Sequence, residues 1–203
     1  RQIQEIDAFR QIHAAWKRMG YPFDSLVPSY ATALGASADR PAALAELMGI
    51  ISNDGVRLPT VYIDKLHFAS ATPYDTTLAQ APARGVRVLP PEIPQLVRQV
   101  LSEVVDKGTA HRAAGAFDRK GEHVLIGGKT GTGDNRFKTF SRGGGLTSAR
   151  VVSRSGAFVF YIGDHYFGTI IAYVAGPKAA DYKFTSALPV QVLKVLAPTL
   201  APR

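Results

Sequence analysis

Apolar residues along this chain recur first at helical and then at strand spacing. Phe9, Ile12, Trp16 and Met19 follow Asp7 at three-to-four intervals, which predicts a helix over 7–19 with a core-facing stripe, closed by Gly20. A proline-broken loop leads to Tyr30. Pro41 opens a second helix well, because its missing N–H costs nothing in the first turn. Leu44, Leu47, Met48 and Ile51 supply its stripe, and Asn53-Asp54-Gly55 stops it. Val61, Ile63, Leu66 and Phe68 alternate imperfectly, so 58–71 reads as one or two short strands or an extended arm. Prolines dominate 74–91, which reads as mostly loop with an edge strand at 85–89. Pro94 opens a third helix, in which Leu96, Val97, Val100, Leu101, Val104 and Val105 recur until Gly108.

The pattern then changes. His123-Val124-Leu125-Ile126 reads as a buried strand running into glycines. The β-branched and aromatic runs 157–163 and 168–175, separated by 164–167, predict a hairpin. Their near-continuous apolarity requires cover on both faces. Ser186 is placed to cap a last helix whose Leu188, Val192, Val195 and Leu196 would face the core before Pro198 ends it. The fold class is therefore α+β: an antiparallel sheet of at least three strands, about 123–132, 155–163 and 167–175, with helices on both faces. At 203 residues, 46% hydrophobic and 20% charged, the chain suits one large or two small globular domains.

The chemistry concentrates in Gly127-Gly128-Lys129-Thr130-Gly131-Thr132-Gly133. At a strand end, main-chain N–H groups beside small glycines can converge on one anion with the side chains of Lys129, Thr130 and Thr132. The bland reading is a glycine-rich turn with an incidental lysine. A phosphate loop is a poor rival, because G-x-x-x-x-G-K-[ST] would need glycine at His123. From 136 to 154, Arg136, Lys138, Arg142, Arg150 and Arg154 occur with no acid between them. That glycine-rich segment reads as a mobile loop, either a guide for an anionic substrate or a solvated insertion.

Other polar residues promise less. His13 and Lys17 suit a solvated helix flank, and His111 and Arg112 a solvated connection. Asp164 and His165 are adjacent at a hairpin tip, where neighbours point apart. The balance of 24 basic and 16 acidic residues, a net +8, favours anionic partners without choosing among them. No zinc pattern, basic helix or aromatic-interleaved motif supports nucleic acid. With no cysteine there are no disulfides or thiolate sites, and no His/Asp/Glu cluster has metal-ligand spacing, so neither metal nor cofactor is implied. No run of about 18 apolar residues reads as a membrane span.

Lys129-Thr130-Gly131-Thr132 resembles the third motif of the penicillin-binding, serine-acyl DD-transpeptidases. Leu34-Gly35-Ala36, the helix opened by Pro41-Ala42-Ala43-Leu44-Ala45 and its Asn53-Asp54-Gly55 close are similar to elements of that family. So is Val104-Val105-Asp106-Lys107-Gly108-Thr109, about twenty residues ahead of the lysine strand. The resemblance runs from about Asp7 to Pro198 and is strongest to the bifunctional class A members. Two family motifs are missing: no serine is followed three places on by lysine, and Ser52-Asn53-Asp54 is not Ser-x-Asn. The expectation is that residues 1–203 form the C-terminal part of a longer transpeptidase domain, whose upstream part supplies the nucleophile and the membrane anchor.

The resemblance implies a β-lactamase-like fold and a parent protein, outside the cytoplasm, that cross-links peptidoglycan stem peptides ending in D-Ala-D-Ala and is trapped by β-lactams. A glycosyltransferase domain could precede it. Lys129 would set a positive field, Thr130 and Thr132 would bind the terminal carboxylate, and the Thr132 N–H would serve an oxyanion hole. Gly131 would keep the strand edge clear. This chain alone would be inactive. The alternative is a non-catalytic sensor or peptide-binding scaffold.

Overall fold

The structure, a computed structural model, describes residues 2–35, 39–119 and 121–200. Ala36, the last residue of the leucine-glycine segment, lies outside them. Helix α1 (Gln2–Arg18) begins five residues ahead of expectation, so Asp7 lies inside it and accepts a hydrogen bond from Gln11 instead of capping. Helix α2 (Pro41–Ser52) follows, then α3 (Glu92–Asp106) and α4 (Ala187–Leu200). Two minimal antiparallel ladders occupy the segment between α2 and α3. Strand β1 (Val56–Arg57) pairs with β4 (Val86–Arg87), and β2 (Lys65–Phe68) pairs with β3 (Thr76–Ala79). Strand β3 falls where a loop was expected; among the described residues it pairs with β2 alone, and the apolar Leu66, Phe68 and Leu78 of this arm stay exposed.

The main sheet is antiparallel in the order β5 (Ile126–Phe140), β6 (Leu146–Ile162), β7 (Tyr166–Ala175). Alternation along β6 divides the core between its two faces. Phe158, Phe160 and Ile162 pack with Val105, Ala110, Ala113 and Phe117 and with Val190, Leu193 and Ala197 of α4. Tyr161 and half-buried Val159, on the opposite face, pack with Met48 and Ile51 of α2 and Leu101 of α3. Helices thus cover both faces, as the apolar runs require.

Several expectations fail in detail. On α4 the buried residues are Pro189, Val190, Leu193 and Ala197, while Leu188, Val192, Val195 and Leu196 are exposed. The helix carries two apolar stripes, and the one with smaller side chains lies against Phe158. On α3, Leu96 and Val100 are likewise exposed, and Pro94, Leu101 and Val105 face inward. Helix α1 joins neither core cluster. Its Trp16 and His13 pack edge-on against Tyr21, and half-buried His13 also bonds the Phe23 carbonyl at 2.9 Å.

The largest correction is the segment after the glycines. Residues 134–140 and 146–154 are not a loop but a two-stranded arm that prolongs β5 and β6, with a turn at 141–145. Cross-strand polar pairs hold it: Asp134 with Arg154 (3.0 Å), Asn135 with Ser153 (2.7 Å) and Thr139 with Ser148 (2.7 Å).

Candidate functional site

The chain is delivered to β5 by a tether. Asp118 accepts the Val124 N–H at 3.0 Å and lies 3.1 Å from His123 Nδ1. Val124 and Leu125 consequently precede the strand rather than belonging to it, and Leu125 is exposed; of the three apolar residues predicted as buried strand, only Ile126 is both in β5 and buried. Gly127 and Gly128 are then fixed by packing. A Cβ on Gly127 would fall on the Tyr161 ring, and one on Gly128 would lie 2.6 Å from the Phe158 ring. Tyr161 is fully buried and donates its hydroxyl to the Arg98 carbonyl at 2.8 Å; burial pushes its phenol pKa up.

Main-chain direction follows from two hydrogen bonds. The Leu125 carbonyl accepts from the Gly163 N–H (2.8 Å), and the Ser141 N–H donates to the Gly145 carbonyl (2.8 Å). Odd-numbered residues of β5 therefore turn their main chain toward β6. In an antiparallel ladder the alternate residues turn theirs away, and among the described residues no strand lies beyond β5. The main-chain groups of Thr130 and Thr132 consequently open onto a free edge. Consistent with this, Lys129 Nζ donates to the Thr130 carbonyl at 2.6 Å.

The side chains of residues 129–132 alternate across the sheet. Lys129 is exposed, opposite Val159 in register; Thr130, opposite Phe158, is only 8% exposed. The Thr130 hydroxyl lies 2.6 Å from that of Thr109, at the end of the Val-Val-x-x-Gly-Thr segment. Thr132 is exposed, and its hydroxyl accepts the Ser186 N–H at 2.9 Å, keeping its own proton for donation. Gly156, opposite Thr132, admits this contact, since a Cβ there would stand 2.8 Å from the Thr185 carbonyl. Thr185, not Ser186, supplies the side-chain oxygen for the first N–H of α4, that of Ala187. Gly131 is different: a Cβ would meet nothing within 4 Å, and its φ is not positive.

The structure thus brings Lys129, Thr130, Gly131 and Thr132 to one margin of the sheet and adds Thr109 and Ser186. Sequence reasoning recognised the Gly108-Thr109 segment but had no signal for its contact with Thr130 across 21 residues. Asp164 and His165 form no dyad; Asp164 instead pairs with Arg98 at 2.6 Å. A concavity of about 570 Å³ lies between α2, residues 58–62 and the β6–β7 turn, and no residue of 129–132 lines it. Among the described residues no group of three His, Asp or Glu could hold a metal ion, and no helix is long and apolar enough to cross a membrane.

Comparison with known proteins bears on the fold. The D,D-transpeptidase domain of a peptidoglycan glycosyltransferase from Eggerthella lenta superposes with a TM-score of 0.58 at 18% identity, over 95% of this chain and 48% of that one. Penicillin-binding protein 3 of Mycobacterium tuberculosis, complexed with aztreonam, gives 0.54 at 19% identity, over 89% and 40%. A peptidoglycan glycosyltransferase from Burkholderia ambifaria gives 0.52 at 18% identity, over 96% and 58%. At such identities these likenesses establish the fold, and the chain spans roughly half the length of these solved proteins. No curated protein matches. The model of the penicillin-binding protein transpeptidase domain matches residues 14–150, two thirds of the chain and the whole of the Lys129 strand segment, so this chain belongs to the penicillin-binding protein transpeptidase family.

Proposed function

We propose that this chain is the C-terminal part of a serine-type DD-transpeptidase domain and supplies one wall of its site, the margin of β5. The parent would join peptidoglycan stem peptides ending in D-Ala-D-Ala through an acyl-serine intermediate and would be acylated by β-lactams. One observation carries the reading: a Cβ on Gly131 would meet nothing within 4 Å, on a strand whose even-numbered main-chain groups turn away from β6 toward an edge that no strand among the described residues covers. A guest peptide laid against that edge as an added strand gives such a glycine a purpose.

In this reading Lys129 supplies the positive field, and Thr132, whose hydroxyl retains its proton, donates to the terminal carboxylate. Thr130 contributes through its outward main chain, and through its hydroxyl once the bond to Thr109 is exchanged. The Thr132 N–H is one oxyanion donor, a contribution worth about 3 kcal/mol in comparable acyl-transfer sites. The nucleophile comes from upstream sequence, because the chain has no Ser-x-x-Lys, and that same upstream portion would anchor the parent on the outer face of the cytoplasmic membrane.

A fluorescent penicillin should label the full-length parent and not the variant in which its Ser-x-x-Lys serine is alanine. The 203-residue chain alone should neither become labelled nor hydrolyse the probe. If the parent is not acylated, the transpeptidase reading is lost and a non-catalytic peptide sensor takes its place.

A further inference from the structure

Beyond Thr132 the free edge of β5 continues to Phe140, because the arm extends the strand and no strand among the described residues pairs with its outer side. Alternation turns the main chain of Asp134, Arg136 and Lys138 outward, as it does for Thr130 and Thr132. Their side chains share one face of the ribbon. On that face Asp134 is already neutralised, at 3.0 Å from Arg154 Nε and 3.6 Å from Arg136. Arg136 is half exposed, Lys138 is exposed, and Lys138 has no acidic partner among the described residues. From 136 to 154 the chain carries no acid at all.

Direction then decides what a guest brings to these cations. A peptide antiparallel to β5 with its carboxyl end at residues 129–132 must run its preceding residues along 133–140. At about 3.3 Å per residue, Arg136 and Lys138 stand roughly 13 and 20 Å beyond Thr132, or about four and six residue lengths. We infer that the arm is a charge-reading extension of the site, selecting extended peptides that carry a carboxylate about four to six residue lengths before their own terminal carboxylate. Arg136 and Lys138 are then specificity-determining residues. The inference rests on the reading of residues 129–132 as the seat of that terminal carboxylate.

The test uses fluorescein-labelled, alanine-rich decapeptides and anisotropy titration of the full 203-residue chain at low salt. One peptide has Glu at the fourth and sixth positions before a free C-terminus, a second has Gln there, and a third is the Glu peptide amidated at its C-terminus. The Glu peptide should bind roughly fivefold tighter than the Gln peptide, and the advantage should shrink as salt is raised. R136Q/K138Q should remove the advantage, whereas a charge-matched change away from the arm, K65Q/R84Q, should keep it. Circular dichroism checks that each variant is folded. Equal binding of the Glu and Gln peptides, with the free terminus still preferred to the amide, overturns the arm's role and leaves the seat at 129–132 standing. Indifference to amidation overturns the seat. An advantage that survives R136Q/K138Q, or no binding of any peptide, overturns the inference.

Discussion

An added methyl at Gly127 would fall on the Tyr161 ring, whereas one at Gly131 would meet nothing within 4 Å. The two glycines look alike in sequence and answer to different constraints, one to the core and one to whatever lies outside the chain. Gly127→Ala should lower stability by about 1–3 kcal/mol, the usual consequence of overpacking a filled site. Gly131→Ala should leave stability within about 0.5 kcal/mol; thermal unfolding of the two variants checks the contrast. Asp118 offers a second test. The Val124 N–H, and then His123, hold its carboxyl below the ordinary value of 3.8. A carboxylate whose pKa is depressed on folding stabilises the native state above its unfolded value, and that contribution is lost as pH falls through the lower native value. Asp118→Asn should therefore lower Tm at neutral pH and flatten the fall in Tm below about pH 4, as read from melting curves across pH 2–7.

At the scale of elements, the period of the apolar residues located the helices and oriented α2, whose Leu47, Met48 and Ile51 pack in the core, but it did not orient α4. On α4 two stripes compete, Leu188, Val192, Val195 and Leu196 against Val190, Leu193 and Ala197, and either satisfies a helical period. The second is buried because its smaller residues let the helix approach Phe158 and Phe160 closely. Leu193→Ala should then cost about 2–5 kcal/mol, and Val195→Ala, 67% exposed, no more than about 0.5 kcal/mol; chemical denaturation of both reads the orientation directly. The arm at 134–154 failed for another reason. Its glycines and charges have the composition of a loop, and its strands exist because Asp134 finds Arg154 and Asn135 finds Ser153 across the ladder. Such pairings depend on register, which local sequence does not contain.

For the molecule as a whole, the main sheet and three of the four α-helices among the described residues share two core clusters, and α1 is left to a local aromatic group about Tyr21. Hydrogen exchange should accordingly reach the α1 amides well before those of residues 156–162 of β6, which are covered on both faces; slower exchange in α1 than in 156–162 would contradict this partition. By itself, the sequence determined the α+β class, the three-stranded antiparallel sheet, the helix positions and the family motif on a strand, since these follow from periodicity, turn residues and short-range spacing. Tertiary structure alone decided which stripe of α4 is buried, that Thr109 and Ser186 meet the two threonines, that β5 is a margin, and that its main chain opens at Thr130 and Thr132. Each of these depends on contacts between residues far apart in the chain, where packing and ladder parity, not local preference, choose among arrangements the sequence allows equally.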